Sequence, residues 1–261
     1  MLWLIPLVQA EPAPPSAFEF TRVWGGALPY LDDHSRVPVP KLRPEHFEAL
    51  AEGDTVGFRQ HVEGSVDGAV AVGWVPHPPE HVWLGGLDDV HGHLADGLTE
   101  SWLPGTVPGH KVLYQHLDVP SPFRDRYWVV VVESNQELYA ASEGLIWERH
   151  WDLDERGEAG CLEDIGPDLL PTDEHVWTPV NQGAWAVLPA GEGTMVLYQL
   201  RTDIGGGVPD ELVVRYAMST LDTMMDKMSQ VAAGSPTHYV DDHFAIVRPD
   251  GSEIPTYASG L

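Results

Sequence analysis

Two pairs of histidines have the spacing of metal ligands: His77 with His81, and His91 with His93. Imidazole suits zinc, but a protein zinc site needs three or four ligands. Neither pair brings a third, and Pro78 and Pro79 spoil the helical register that would align His77 with His81. Surface histidines are the expected reading, with no metal site. The run Asp152-Leu153-Asp154-Glu155-Arg156-Gly157, with Glu163 at the twelfth place, has the outline of an EF-hand calcium loop. Arg156 stands where an oxygen ligand belongs, so calcium is not expected. Nucleophilic catalysis finds no support: there is no Gly-x-Ser-x-Gly elbow. Cys161 lies among Glu158, Glu163 and Asp164, whose charges should raise a thiol pKa. Gly205-Gly206-Gly207 precedes a helix but lacks the Walker lysine and the spaced glycines of a Rossmann turn. No catalytic residue and no cofactor is therefore assigned.

The elements that position side chains are clearer than any catalytic motif. From Val208 to Ala233, apolar residues recur at Val214, Ala217, Met218, Leu221, Met224, Met225, Met228, Val231 and Ala232. Polar ones recur at Arg215, Ser219, Asp222, Asp226 and Gln230, so each class takes one face of an α-helix. Pro209, Asp210 and Glu211 suit its start, and Gly234 with Pro236 should stop it. A strand from Thr194 and the Asp203–Gly207 turn lead into the helix, making a strand, a glycine hinge and a lid.

Upstream, Val56–Val62 and Ala69–Val75 read as strands, and Pro76–Trp83 as a turn running into a helix. Leu98–Leu103 and Lys111–Leu117 form an expected hairpin, and Arg126–Glu133 a buried strand. In Leu145–Leu153, Trp147, Arg149 and Trp151 alternate with Glu148, His150 and Asp152; which set faces inward depends on register. Trp177–Leu188 is another strand, and the tail adds one at Phe244–Val247. Ala17–Asp54 is expected to be irregular apart from a short helix at Pro44–Ala51. Arg124, Asp125 and Arg126 are expected to form a structural ion pair. Many antiparallel strands followed by one terminal helix indicate an α+β domain.

Charge excludes some partners. The 261 residues carry 40 acidic and 14 basic side chains, a net charge of −26. Nucleic acid and anionic membrane surfaces both require a basic footprint, so neither is expected beyond transient membrane contact. One cysteine permits no intramolecular disulfide. Met1–Ala10 is a short apolar run ending in Val8-Gln9-Ala10, and Glu11–Pro15 follows as a linker. It is read as an export signal, giving a secreted or periplasmic protein; the alternative is a buried N-terminal strand.

Five segments in this order resemble the START family of lipid-transfer domains, within the helix-grip (SRPBCC) superfamily. They are Val75–Trp83; Lys111–Pro120 with Pro122–Arg126; Gly183–Pro189; the alternating Thr194, Val196 and Tyr198; and Thr202–Pro209. The resemblance covers Asp54 to Ala233. It divides the chain into a signal and linker (1–16), an N-terminal extension (17–53), a START-like domain (54–234) and a tail (235–261). It implies a curved antiparallel sheet wrapped around a long C-terminal helix, with an apolar cavity between them. The ligand-binding residues it implies are Trp128, Trp147, Arg149, Tyr198, Met218, Met224, Met225 and Met228. The expected partner is a lipid or other hydrophobic small molecule, bound by a monomer. An aromatase/cyclase-like enzyme on the same superfold, or a module whose cavity is filled, are the alternatives.

Overall fold

The computed structural model describes residues 12–87, 94, 96–121, 123–172, 175–238 and 247–254. The expected export signal, His91 with His93, and most of the Phe244–Val247 strand lie outside these residues. Among the described residues nine strands form one sheet: β1 (Val56–Gln60), β2 (Gly68–Val75), β3 (Leu98–Trp102), β4 (His110–Leu117), β5 (Arg126–Ser134), β6 (Trp147–Leu153), β7 (Val176–Trp177), β8 (Val180–Ala190) and β9 (Gly193–Asp203). Their order is β1-β2-β9-β8-β6-β5-β4-β3, antiparallel throughout, with β7 added parallel to the start of β5. The helices are α1 (Ala17–His34), α2 (Pro44–Glu52), α3 (Pro79–Leu87), α4 (Gln136–Ala141), α5 (Gly157–Cys161) and α6 (Asp210–His238). This is the α+β helix-grip architecture, a curved sheet gripping a long C-terminal helix.

Strand alternation assigns each side chain to a layer. Trp128, Val130 and Val132 of β5 point towards α6, whereas Tyr127 and Val129 point away towards Cys161 and Ile165. Ala71 and Val75 of β2 likewise join the α6 side, while Val70 and Val72 join the opposite layer. Both faces of the sheet are thus covered, so β2, β5, β8 and β9 are apolar along most of their length.

The N-terminal region departs from the expectation of irregular chain. Ser16 and Glu19 form a reciprocal capping box, and α1 then buries Phe20, Trp24, Ala27 and Leu31 against the sheet. Those residues repeat at helical spacing. Gly25, Gly26 and Pro29 disfavour a helix locally, but burial of the stripe outweighs that weak preference. Glu148, only 1% exposed, clips the end of this helix to the sheet. Its carboxylate accepts from the Ser35 hydroxyl (2.6 Å), the Arg36 amide (3.0 Å) and Asn135 Nδ2 (2.7 Å).

Helix α6 runs on past Gly234 and Pro236, where a stop was expected. Pro236 falls in its last turn, where only one i→i−4 bond is lost. Ser235 is buried there, its hydroxyl 3.1 Å from both the Val231 and His81 carbonyls. Packing against α3 therefore extends the helix beyond its local stop signals. At its other end Gly205, Gly206 and Gly207 all have positive φ (64°, 67° and 75°), a run that side chains would strain. The expected ion pair beside β5 takes another form. Arg126, 2% exposed, donates Nε to the Ile204 carbonyl at 2.6 Å and Nη1 to the Arg124 carbonyl. Asp125 Oδ1 accepts instead from the Val119 amide at 2.9 Å.

Candidate ligand cavity

Between the sheet and the N-terminal half of α6 lies a cavity of about 500 Å³. Two cross-strand rows build its floor. In the first, Glu100 of β3 is opposite Gln115 of β4, which is opposite Trp128 of β5. Gln115 Nε2 donates to Glu100, and its Oε1 accepts from the Trp128 indole at 2.5 Å. In the second, Arg149 of β6 is opposite Trp185 of β8, which is opposite Tyr198 of β9. The Trp185 and Tyr198 ring centroids are 4.4 Å apart. Such rows are the natural unit of sheet packing, since opposite residues share a face.

Trp151 lies across β8 so that its indole donates to Asn181 Oδ1 at 2.8 Å. Gly183 makes room for it: a Cβ there would come within 2.4 Å of the indole and 2.1 Å of the Gln199 carbonyl. Leu113, Leu117, Val130, Val132 and Leu200 fill the wall between the rows. Val208, Leu212, Val213, Leu221 and Met224 roof it from the helix side. At one edge Lys227 Nζ is 2.5 Å from Asp96 Oδ1, and both residues border the cavity. The Trp128 and Trp151 N–H groups are thus satisfied within the wall, leaving their ring faces as apolar surface. Burial, and then the charge of Glu100, push the Tyr198 phenol far above its ordinary range. It stays a neutral hydroxyl at physiological pH.

Of the eight residues implied by the family resemblance, Trp128, Arg149, Tyr198 and Met224 border the cavity. Register places Arg149 on that side, its Nη1 donating to the Gly86 carbonyl at 2.6 Å, and turns His150 towards Glu133 on the far side. The other four pack elsewhere. Trp147 sits edge-on to Trp83, 5.6 Å between centroids, and donates to the Gly144 carbonyl. Met218, Met225 and Met228 each lie over a glycine, respectively Gly57, Gly73 and Gly86. Their thioethers fill spaces where α6 approaches β1, β2 and α3 closely. Gln115, Asn181 and Leu212 were not anticipated as cavity residues. Cross-strand pairing with Trp128 would have pointed to Gln115, but that pairing is not written in any local motif.

The remaining chemistry candidates have other partners. Arg156 hydrogen-bonds both oxygens of Asp154 and one of Asp164, so a guanidinium neutralises the calcium-like loop. Cys161 is buried, and its thiol is pushed up to about 11. Burial is the main cause, followed by Asp154; of the three acidic neighbours expected to raise it, Asp164 contributes. His77 and His81 stack with centroids 6.4 Å apart. Among the described residues, one group of three ligating side chains brings its donor atoms within 4.8 Å: His116, Asp125 and His175.

No protein-family model matches the sequence, and no curated protein matches it. Solved structures do match in fold. A STAR-related lipid transfer protein (fragment) from Xanthomonas axonopodis superposes with a TM-score of 0.53 at 19% identity, covering 70% of this chain and 95% of that one. Human STARD10 superposes with a TM-score of 0.54 at 14% identity, covering 78% and 84% respectively. Those likenesses show the fold: this chain has the START-like helix-grip fold.

Proposed function

We propose that this protein binds a lipid or another hydrophobic small molecule in the cavity under α6, and carries it. The observation that carries this reading is the cavity itself, about 500 Å³ in volume, with indole and aliphatic walls. Sites of that size and character hold small molecules largely by apolar burial, with a few polar groups fixing orientation. Here Arg149 and the Tyr198 hydroxyl stand in that role, with Trp128 and Met224 supplying apolar contact. The names of the two fold neighbours, a STAR-related lipid transfer protein and STARD10, agree with it.

A non-enzymatic role is part of the proposal. A cyclase would need titratable groups converging on a reacting atom. Two of the wall's polar side chains are instead engaged with their neighbours, Gln115 with Glu100 and Trp128, Asn181 with Trp151. Export and action as a monomer belong to the same proposal.

Native mass spectrometry of the full chain purified from its own host tests binding directly. A co-purifying lipid or apolar molecule is expected, together with saturable uptake of a fluorescent fatty-acid or phospholipid probe. Val130→Trp, which puts an indole into the cavity, should retain the fold by circular dichroism and lose uptake. Absence of any co-purifying molecule together with absence of uptake would overturn the reading. N-terminal sequencing of the protein recovered from fractions of its own host tests the localisation: recovery in the cytoplasmic fraction alone, with Met1–Ala10 intact, removes it.

A further inference from the structure

We infer that His116, Asp125 and His175 form a binding site for a divalent transition metal, zinc by donor type, at the rim of the cavity. Three strands assemble it from distant parts of the chain. His116 is on β4, opposite Tyr127 of β5. Asp125 immediately precedes β5 and His175 immediately precedes β7. The parallel pairing of Arg126 with Val176 sets those two positions side by side, and the Val176 amide donates to the Asp125 carbonyl at 2.9 Å. His116 Nε2 and His175 Nε2 both face Asp125 Oδ2, at 3.8 and 4.0 Å.

The surroundings orient two of the three ligands as a metal site requires. His116 Nδ1 is 3.4 Å from Asp118 Oδ1. A carboxylate on one ring nitrogen keeps the proton there and leaves the other nitrogen free to ligate. That other nitrogen, Nε2, is buried and has no hydrogen-bond partner among the described residues, an arrangement that calls for an explanation in a native fold. Asp125 spends Oδ1 on the Val119 amide, which leaves Oδ2 aimed at the two imidazoles. The third ligand is less prepared. His175 Nδ1 now accepts from the Thr172 amide at 3.0 Å. Ligation through Nε2 moves the proton to Nδ1 and breaks that contact, so the site closes on the ion rather than waiting preformed.

Tetrahedral zinc holds nitrogen and oxygen ligands at about 2.0–2.2 Å, which sets them roughly 3.3 Å apart. The imidazole nitrogens, at 3.8 and 4.0 Å from Asp125 Oδ2, must therefore draw in by about 0.5–0.7 Å. Two imidazoles and one carboxylate favour zinc-like ions over calcium or magnesium, which prefer oxygen. The chain's net charge of −26 adds a general attraction for cations. Asp118, Val119 and Phe123 border the cavity. A bound ion would tie this rim to β7, a role independent of whether the cavity takes lipid.

Zinc titrated calorimetrically into the chelator-treated full chain, with metal content read by mass spectrometry, tests the inference. One zinc per chain and a higher melting temperature are expected. His116→Ala and His175→Ala should each remove most of the binding, Asp118→Asn should weaken it roughly tenfold, and His77→Ala should leave it unchanged. Circular dichroism checks that each variant folds. Should His116→Ala fail to fold, His175→Ala, outside the antiparallel ladder, carries the same test. No uptake by the wild-type chain, or uptake equal in His116→Ala and His175→Ala, overturns the site.

Discussion

The two halves of α6 share one amphipathic pattern and lead different lives. The C-terminal half, from Met225 to Ser235, is closely packed, with Lys227 alone reaching the cavity's edge. Met225 and Met228 lie on Gly73 and Gly86, and Val231 lies on Gly85, so backbone and helix meet with only a thioether or a methyl group between them. The N-terminal half, from Asp210 to Met224, roofs a cavity together with Val208 before it. Leu212 and Tyr216 are 46% and 52% exposed there, which is unusual for large apolar side chains on a helix that is otherwise gripped. The same residue type therefore does different work in each half. Met228 is core, and Met224 is wall. The lesson is that helical periodicity identifies the inward stripe, while the partner opposite each residue decides whether that stripe is packed or left open.

Mutations can break this contrast. Met228→Ala should cost about 2–5 kcal/mol, because a side chain 1% exposed leaves a void over Gly86. Urea unfolding measures it, and probe uptake by the folded fraction should not change. Next comes Arg126→Lys, which gives up the paired hold on the Ile204 and Gly205 carbonyls. A loss of about 1–3 kcal/mol is expected. Hydrogen exchange should speed up at residues 208–216 and stay unchanged at 225–235; faster exchange along the whole helix would erase the distinction between halves. Met224→Ala should cost only about 1–2 kcal/mol, since its side chain already borders open space. It should also admit a bulkier probe, and a cost equal to that of Met228→Ala would sink the contrast.

Acid should act on the closely packed half. Burial, and then the charge of His77, hold the His81 imidazole below its ordinary value of 6.5. The folded state is therefore reluctant to take a proton that the unfolded chain accepts. The stability this provides is complete above the unfolded value and declines as pH falls through it. His81 sits on α3, and its carbonyl lies beside Ser235 of α6. Protection at 225–235, measured relative to the intrinsic exchange rate at each pH, should fall below about pH 6.5, and His81→Gln should flatten that dependence. The smallest effect is expected from Leu212→Ser. At an exposed position stability should change by no more than about 0.5 kcal/mol, while probe affinity falls.

Much of the fold was legible in the residues. The β2, β4, β5, β8 and β9 strands carry β-branched and aromatic runs bounded by turn residues, and the stripe of α6 has an unmistakable helical period. Helix α1 was legible too, through Ser16, Glu19 and the Phe20, Trp24, Ala27, Leu31 stripe, but Gly25, Gly26 and Pro29 argued locally against it. Burial of that stripe on the second face of the sheet is a tertiary term larger than those propensities. The site was only half legible. Arg149 against His150 turned on strand register, which reverses with a slip of one residue. Gln115 and Asn181 owe their places to partners on other strands.

By itself, then, the amino-acid order determined the longer strands and the α6 helix, the inward stripe of α6, the glycine turn before it and the acidic character that disfavours nucleic acid. Those follow from local periodicity, backbone preference and summed charge. Tertiary structure alone decided which of Met218, Met224, Met225 and Met228 meets open space. It also decided that α6 passes Pro236, that Arg126 grips backbone carbonyls, and that His116, Asp125 and His175 converge. Each of these depends on which strand lies beside which, and that is set by burial summed over the whole sheet rather than by neighbours in sequence.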